Sequence, residues 1–84
     1  MDQASLGIKV KSVMARVFQV AESAIDDHSS QQSIAKWDSM GHMNLVVALE
    51  EEFGVEFKDD QAMKLLSFAQ IMTTLMEALA DRSS

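Results

Sequence analysis

The sequence predicts an all-α fold, a small four-helix bundle with three longer helices, one short helix and a long first loop. In three separate stretches, apolar residues recur at three- and four-residue steps, which is the spacing of a buried helix stripe. Proline and tyrosine are absent and only three glycines are present, so the turn chemistry of β-hairpins is scarce. With 84 residues, we expect one small domain over residues 1–84, with a thin core.

The first helix is expected to run from about Ser5 to Ala21. Its apolar stripe consists of Val10, Val13, Met14, Val17, Phe18 and Ala21. Residues 22–38, which follow, are polar and have no helical period. A loop of this length in so small a domain is usually functional or disordered. The apolar residues that could anchor it to the core are Ile25, Ile34 and Trp37.

The second helix, predicted from Ser39 to Phe53 with Gly54 as its stop, has apolar residues on two opposite sides. At about 100° per residue, the larger and more regular stripe, which we assign to the core, is Leu45, Leu49 and Phe53. The second stripe, which we expect to face outward for docking, is Met40, Met43 and Val47. Methionine suits such a surface because its side chain is flexible and polarisable. The alternative is that the first loop or the third helix covers this stripe.

Two further helices are predicted in the last third of the chain. A short third helix is expected over about residues 60–65, with Asp59 or Asp60 as its cap. The last helix begins after Ser67, which lies three residues before Gln70 at the spacing of a capping box. Its apolar stripe is Phe68, Ile71, Met72, Leu75, Met76 and Leu79.

The chain is acidic, with 13 Asp and Glu residues, 7 Lys and Arg residues and a formal net charge of -6. This charge disfavours nucleic acid and anionic membranes as partners and is compatible with basic protein partners. Asn44, Glu50 and Glu51 flank the outward stripe of the second helix. No basic leader with an apolar core and no membrane-spanning stretch is recognisable, so we expect a cytoplasmic monomer.

Catalytic chemistry is not encoded in any recognisable motif. Cysteine is absent, which excludes a disulfide, a thiolate metal site and a cysteine nucleophile. His28 lies among loop carboxylates that make no recognisable metal site. His42 lies on the core side of the second helix, where a hydrogen-bonded structural role is most common. We therefore expect no catalytic activity of the chain's own.

Asp38 and Ser39, at the start of the second helix, form a candidate anion site. Asp38 is a good N-cap, which leaves Ser39 in the first helical turn. Free backbone N–H groups and the helix dipole favour an anion there, including a phosphate ester on the serine. Taken alone, however, an Asp–Ser pair is more often only a helix cap.

The segment "DSM" at 38–40, followed by "LVVALEEEFGVEF" at 45–57, resembles the acyl carrier proteins. In that family an Asp-Ser-Leu motif opens the second helix, and its serine carries 4′-phosphopantetheine. The resemblance implies that Ser39 is the attachment point, that Asp38 is the motif aspartate and that Met40 occupies the leucine position. Glu50 and Glu51 match acidic positions of the family's recognition helix.

This resemblance implies a carrier that tethers acyl intermediates as thioesters on the arm and presents them to partner enzymes. A phosphopantetheinyl transferase would attach the arm, and acyl-transferring or acyl-modifying enzymes with basic docking patches would use it. The pathway would be fatty-acid, polyketide or specialised lipid or sugar modification. Two alternatives remain open: a peptidyl or aminoacyl carrier, and an unmodified adaptor that binds proteins through the outward stripe.

Four positions depart from the family's usual pattern. His42 stands where a small or apolar residue is common. Lys36 and Trp37 replace the glycine and the small or apolar residue that usually precede the aspartate, and Asn44 stands at a position that is usually acidic. These departures indicate a specialised carrier with its own partners. Trp37 is expected to anchor the loop where it enters the helix. The alternative is that Trp37 lies beside the pantetheine arm.

Overall fold

Four α-helices make up the structure, a computed structural model that describes the backbone of residues 2–83 and the side chains of residues 2–80. In chain order the elements are α1 (Gln3–Phe18), a 3-10 turn (Glu22–Ala24), α2 (Ser39–Phe53), α3 (Asp59–Met63) and α4 (Phe68–Ser83). The predicted all-α class, with three longer helices, one short helix and a long first loop, is confirmed. None of the helices described is both long and apolar enough to cross a membrane.

The core is built from one face of each long helix. Its fully buried members include Val10, Met14 and Phe18 of α1, Leu45 and Leu49 of α2, and Ile71 and Leu75 of α4. The predicted stripes are thus confirmed in their main residues. Two stripe residues were assigned wrongly: Ala21 is exposed and lies beyond the end of α1, and Met76 is 38% exposed.

Both ends of α1 differ from the prediction of Ser5 to about Ala21. The helix starts earlier because Asp2 caps it, with Asp2 Oδ1 accepting from the Ser5 N–H at 2.7 Å. This hydrogen bond is the main reason that the pKa of Asp2 is lowered. The helix ends at Phe18 because Gln19 adopts a left-handed conformation with φ 56°. A left-handed residue after the last turn is a common helix stop, although glycine is the usual residue there.

The short helix α3 also begins and ends earlier than predicted. It spans Asp59–Met63 rather than 60–65, and Lys58 is its N-cap residue. The Lys58 N–H donates to Gln61 Oε1 at 2.9 Å. Asp59 and Asp60 are therefore not caps but lie in the first turn, where the helix dipole favours negative charge.

The first loop is fixed to the rest of the molecule by side chains and by backbone hydrogen bonds. Its three predicted anchors are buried, namely Ile25, Ile34 and Trp37. The Gln31 N–H donates to the Leu66 carbonyl and the Phe68 N–H donates to the Ser29 carbonyl, each at 2.9 Å. The loop thereby holds the start of α4 and the chain entering α2 against one core.

Candidate functional site

The first turn of α2 has the predicted arrangement at Asp38 and Ser39. Asp38 is the N-cap, and its Oδ1 accepts from the Gly41 N–H at 2.8 Å. The Asp38 carbonyl accepts from the His42 N–H at 2.7 Å. Ser39 is the first helical residue and is exposed. Because Asp38 performs the capping, the Ser39 hydroxyl is left with no capping role.

The backbone at this end of α2 can receive an anion. Among residues 2–83, the N–H groups of Ser39 and Met40 donate to no other group. Unpaired N–H groups at a helix start carry the positive end of the helix dipole. A negatively charged group bonded to the Ser39 hydroxyl would therefore be favoured by the same turn that exposes it.

Gly41 lets the first loop approach the backbone of α2 more closely than any other residue would. A Cβ atom at this position would lie 2.2 Å from the Lys36 carbonyl oxygen and 3.3 Å from Asp38 Oδ1. The first distance is much shorter than a van der Waals contact. The atom concerned belongs to the backbone, so it cannot move aside as the end of a flexible side chain could. The loop before Asp38 can follow this path because residue 41 has no side chain.

Gly41→Ala is expected to lower the free energy of unfolding by about 1–3 kcal/mol, because the Lys36 carbonyl must move. Gly7→Ala, on α1, is the matched control. A Cβ there would lie 3.6 Å from Phe68 Cζ and 3.9 Å from Met72 Cε, which is ordinary contact. Because alanine is the better helix former, this control should stabilise by up to about 1 kcal/mol. Denaturant melts measure both, and equal stability of the two variants would contradict the close approach at Gly41.

Trp37 and His42 connect the entry of α2 to its neighbours. Trp37 is 2% exposed, and its ring stacks on Phe18 with centroids 5.2 Å apart. Trp37 Nε1 donates to His42 Nδ1 at 3.1 Å, and His42 Nε2 lies 2.8 Å from the Ala62 carbonyl oxygen. The predictions of an anchoring tryptophan and a hydrogen-bonded histidine are confirmed. The burial of Trp37 argues against the alternative of a place beside the arm.

The two faces of α2 are buried and exposed as predicted. On the core side, Leu45 and Leu49 are 0% exposed. The outward stripe is open to solvent, with exposures of 74% for Met40, 69% for Met43 and 51% for Val47. The alternative, that the first loop or α3 covers this stripe, is therefore wrong. An exposed run of large apolar side chains is a feature of protein-binding surfaces.

The three residues predicted to flank the outward stripe are not equally exposed. Asn44 and Glu51 are exposed beside the stripe. Glu50 is half-buried, and its Oε2 accepts from the Phe57 N–H at 2.9 Å. Glu50 therefore also holds the segment after α2, a structural role that its place in the predicted border did not indicate.

Met63 is an exposed apolar residue that sequence reasoning did not include. It is 74% exposed and follows Ala62, whose carbonyl binds His42 in the first turn of α2. The end of α3 thus lies beside the start of α2, and Met63 adds apolar surface near the site. Because α3 has five residues, its sequence is too short for a helical period to assign Met63 a side.

Comparisons with known proteins identify the family of this chain. A family model described as the phosphopantetheine attachment site matches residues 9–75. An acyl carrier protein of Thermosynechococcus vestitus (strain NIES-2133 / IAM M-273 / BP-1) is 31% identical over 80 residues. That match covers 95% of this chain and 99% of the relative. The chain belongs to the acyl carrier protein family.

An acyl carrier protein is non-catalytic and bears a covalently attached 4′-phosphopantetheine. The residues present fit that group. An exposed hydroxyl stands in the first turn of α2 at Ser39, and the unpaired N–H groups beside it suit a phosphodiester. Asp38 Oδ1 accepts from the Gly41 N–H at 2.8 Å, so this carboxylate is part of the helix cap.

Proposed function

We propose that this carrier protein bears 4′-phosphopantetheine on Ser39 and presents acyl groups to partner enzymes. The observation that carries the proposal is the exposed Ser39 hydroxyl directly after the N-cap Asp38, inside the region matched by the attachment-site family. When attached, the arm supplies a terminal thiol that holds acyl groups as thioesters. Tethering raises the effective concentration of cargo at each partner.

Ser67, at the start of α4, is a poorer candidate. Its Oγ accepts from the Gln70 N–H at 3.2 Å and donates to Gln70 Oε1 at 3.2 Å. Modification there would remove the cap of α4. Ser39 has a separate residue, Asp38, for capping, so its hydroxyl can be esterified without loss of helix stability.

The outward stripe and its border are the proposed docking surface for partners. Met40, Met43 and Val47 supply exposed apolar contact, and Glu51 supplies exposed negative charge beside it. Such a surface fits enzymes with basic patches, because charge steers the encounter and apolar contact stabilises the complex. We propose a phosphopantetheinyl transferase and acyl-transferring or acyl-modifying enzymes as partners, in a fatty-acid, polyketide or specialised lipid or sugar-modification pathway.

Acyl cargo is favoured over the two alternatives by separate observations. The relative named as an acyl carrier protein aligns with 95% of this chain, which favours acyl groups over peptidyl or aminoacyl groups. The match to the attachment-site family favours a modified carrier over an unmodified adaptor. The exposed stripe, which alone would suit an adaptor, also suits a carrier that must meet several enzymes.

Mass spectrometry of the loaded protein tests the proposal. The purified chain is incubated with a broad-specificity phosphopantetheinyl transferase, coenzyme A and Mg²⁺, and its intact mass is measured before and after. We expect the gain of a single phosphopantetheine group, which peptide mapping should locate on Ser39. A chain that gains no mass, or that carries the group on Ser67, would overturn the proposal.

Reversing one charge beside the stripe should slow loading. Glu51→Lys is expected to lower kcat/KM for the transferase several-fold at low ionic strength, because an exposed charge near the docking surface steers a basic partner. The effect should shrink at high salt, since exposed charges more than about 8 Å apart are largely screened at physiological ionic strength, and this distance shortens as salt is added. Transferase rates at two salt concentrations measure it.

Glu52→Lys is the matched control for this prediction. Glu52 is exposed on the same helix, but its direction is about 100° from Glu51 and away from the outward stripe. The two variants have the same net charge. Equal loading rates would therefore show that the position of Glu51 beside the stripe has no role in steering the transferase. Glu50 is left unchanged because its carboxylate binds the Phe57 N–H.

A further inference from the structure

The imidazole of His42 joins three segments around Ser39. From the loop before Ser39, Trp37 Nε1 donates to His42 Nδ1 at 3.1 Å. From α3, the Ala62 carbonyl oxygen lies 2.8 Å from His42 Nε2. His42 itself belongs to the first turn of α2, where its N–H donates to the Asp38 carbonyl. In the sequence, Ser39 therefore lies between Trp37 and His42, whose side chains are hydrogen-bonded to each other.

The hydrogen-bond partners define a single tautomer of this imidazole. An indole N–H is only a donor, so His42 Nδ1 must accept. A carbonyl oxygen is only an acceptor, so His42 Nε2 must carry the proton and donate to Ala62. The arrangement thus requires the tautomer with its proton on Nε2. A residue that replaces His42 must offer an acceptor and a donor on opposite sides to keep both contacts.

The three segments depend on His42 to different degrees. Trp37 is held independently, because its ring is buried and stacked on Phe18 of α1 at 5.2 Å. By contrast, no residue of the five-residue helix α3 is buried. The Ala62 carbonyl, in the last turn of α3, also accepts from the Lys64 and Leu65 N–H groups just after the helix, the latter at 3.4 Å. The shorter 2.8 Å bond from His42 Nε2 is the one that reaches α2, and so connects the end of α3 to the start of α2.

We infer that His42 is a positioning residue for loading at Ser39, because its two hydrogen bonds fix the turn that carries Ser39 to the Trp37 anchor and to α3. The inference rests on the proposed function. His42 lies on nearly the opposite side of α2 from Met40, because two residues turn the helix by about 200°, so replacing it leaves the outward stripe in place. A partner would still dock on that stripe and would find the Ser39 hydroxyl in a less defined position. Loss of His42 should therefore lower kcat for loading and leave KM nearly unchanged.

Two substitutions of His42 separate hydrogen bonding from packing. His42→Leu removes both bonds and keeps a side chain of similar bulk. His42→Gln keeps an oxygen that can accept from Trp37 and an N–H that can donate to Ala62. We expect kcat for phosphopantetheine transfer to fall about tenfold in His42→Leu and to recover largely in His42→Gln. Ile71→Val, a change in the buried face of α4 away from the site, controls for loss of stability and should load like the unsubstituted protein.

Trp37 provides a spectroscopic readout that a general loss of stability would not move. Since Trp37 is the only tryptophan, the ¹H–¹⁵N spectrum contains a single indole signal. This signal should shift upfield in His42→Leu and stay near its original place in His42→Gln. In the unsubstituted protein, the imidazole ¹⁵N shifts of His42 should show a proton on Nε2 and none on Nδ1.

The outcomes separate this inference from the proposed function. If His42→Leu loads as fast as the unsubstituted protein, or if a folded His42→Gln is as slow as His42→Leu, the positioning role is overturned while Ser39 remains the site. An unshifted indole signal in His42→Leu overturns it as well. If the unsubstituted protein gains no group at all, the proposed function itself fails. Should His42→Leu not fold, Trp37→Phe removes the indole donor and keeps the stacked ring; a fall in kcat supports the inference and an unchanged kcat overturns it.

Discussion

Alanine in place of Ser39 is expected to abolish loading by a phosphopantetheinyl transferase and to leave the fold intact. The substitution removes the hydroxyl that would be esterified, so no slower route remains at this position. The α2 N-cap is Asp38, whose bond to the Gly41 N–H does not involve the serine side chain. The free energy of unfolding should therefore change by no more than about 0.5 kcal/mol. Intact mass and far-UV circular dichroism measure the two effects.

Ser67→Ala gives the opposite pair of effects and serves as the control. This substitution removes the hydroxyl that accepts from the Gln70 N–H at the start of α4. Loss of such a cap costs about 1 kcal/mol, and loading at Ser39 should be unaffected. If Ser39→Ala still gains a phosphopantetheine group, or if Ser67→Ala does not, the assignment of Ser39 is incorrect.

The face of α2 that packs inward could be predicted because it depends on local order in the sequence. Leu45, Leu49 and Phe53 recur every four residues, and their side chains are larger than those of the opposite stripe. A helix in a thin bundle buries one such side, and the greater apolar area decides which. The exposure of Met40 and Met43 follows from the same comparison.

The contacts that fix the site could not be predicted, because they join residues far apart in the sequence or depend on backbone conformation. His42 and Ala62 are twenty residues apart, and neither residue indicates the other. The close approach of the Lys36 carbonyl to Gly41 requires the path of the loop, which has no period. The end of α1 at Phe18 was missed because Gln19, the left-handed residue that stops the helix, has no sequence signal comparable to that of glycine.

A comparison of the two faces of α2 tests whether packing and docking are separate functions of this helix. Leu49→Ala removes a side chain that is 0% exposed, and should lower the free energy of unfolding by about 2–5 kcal/mol. This is a large share of the stability that a domain of this size has. Met43→Ala removes a side chain that is 69% exposed, and its cost should be within about 0.5 kcal/mol. Denaturant melts of both variants measure the difference.

Loading kinetics complete the comparison. In KM for the transferase, Met43→Ala should be the more affected variant, whereas Leu49→Ala is the more affected one in stability. Met43→Ala removes apolar contact from the proposed docking surface, so KM for the transferase should rise although the protein is as stable as before. Leu49→Ala, assayed at a temperature where it is folded, should keep KM nearly unchanged because its side chain does not reach the surface. If Met43→Ala loads normally, the outward stripe does not bind the transferase. Partner recognition would then depend on other exposed residues near Ser39, of which Met63 on α3 is the most exposed apolar one.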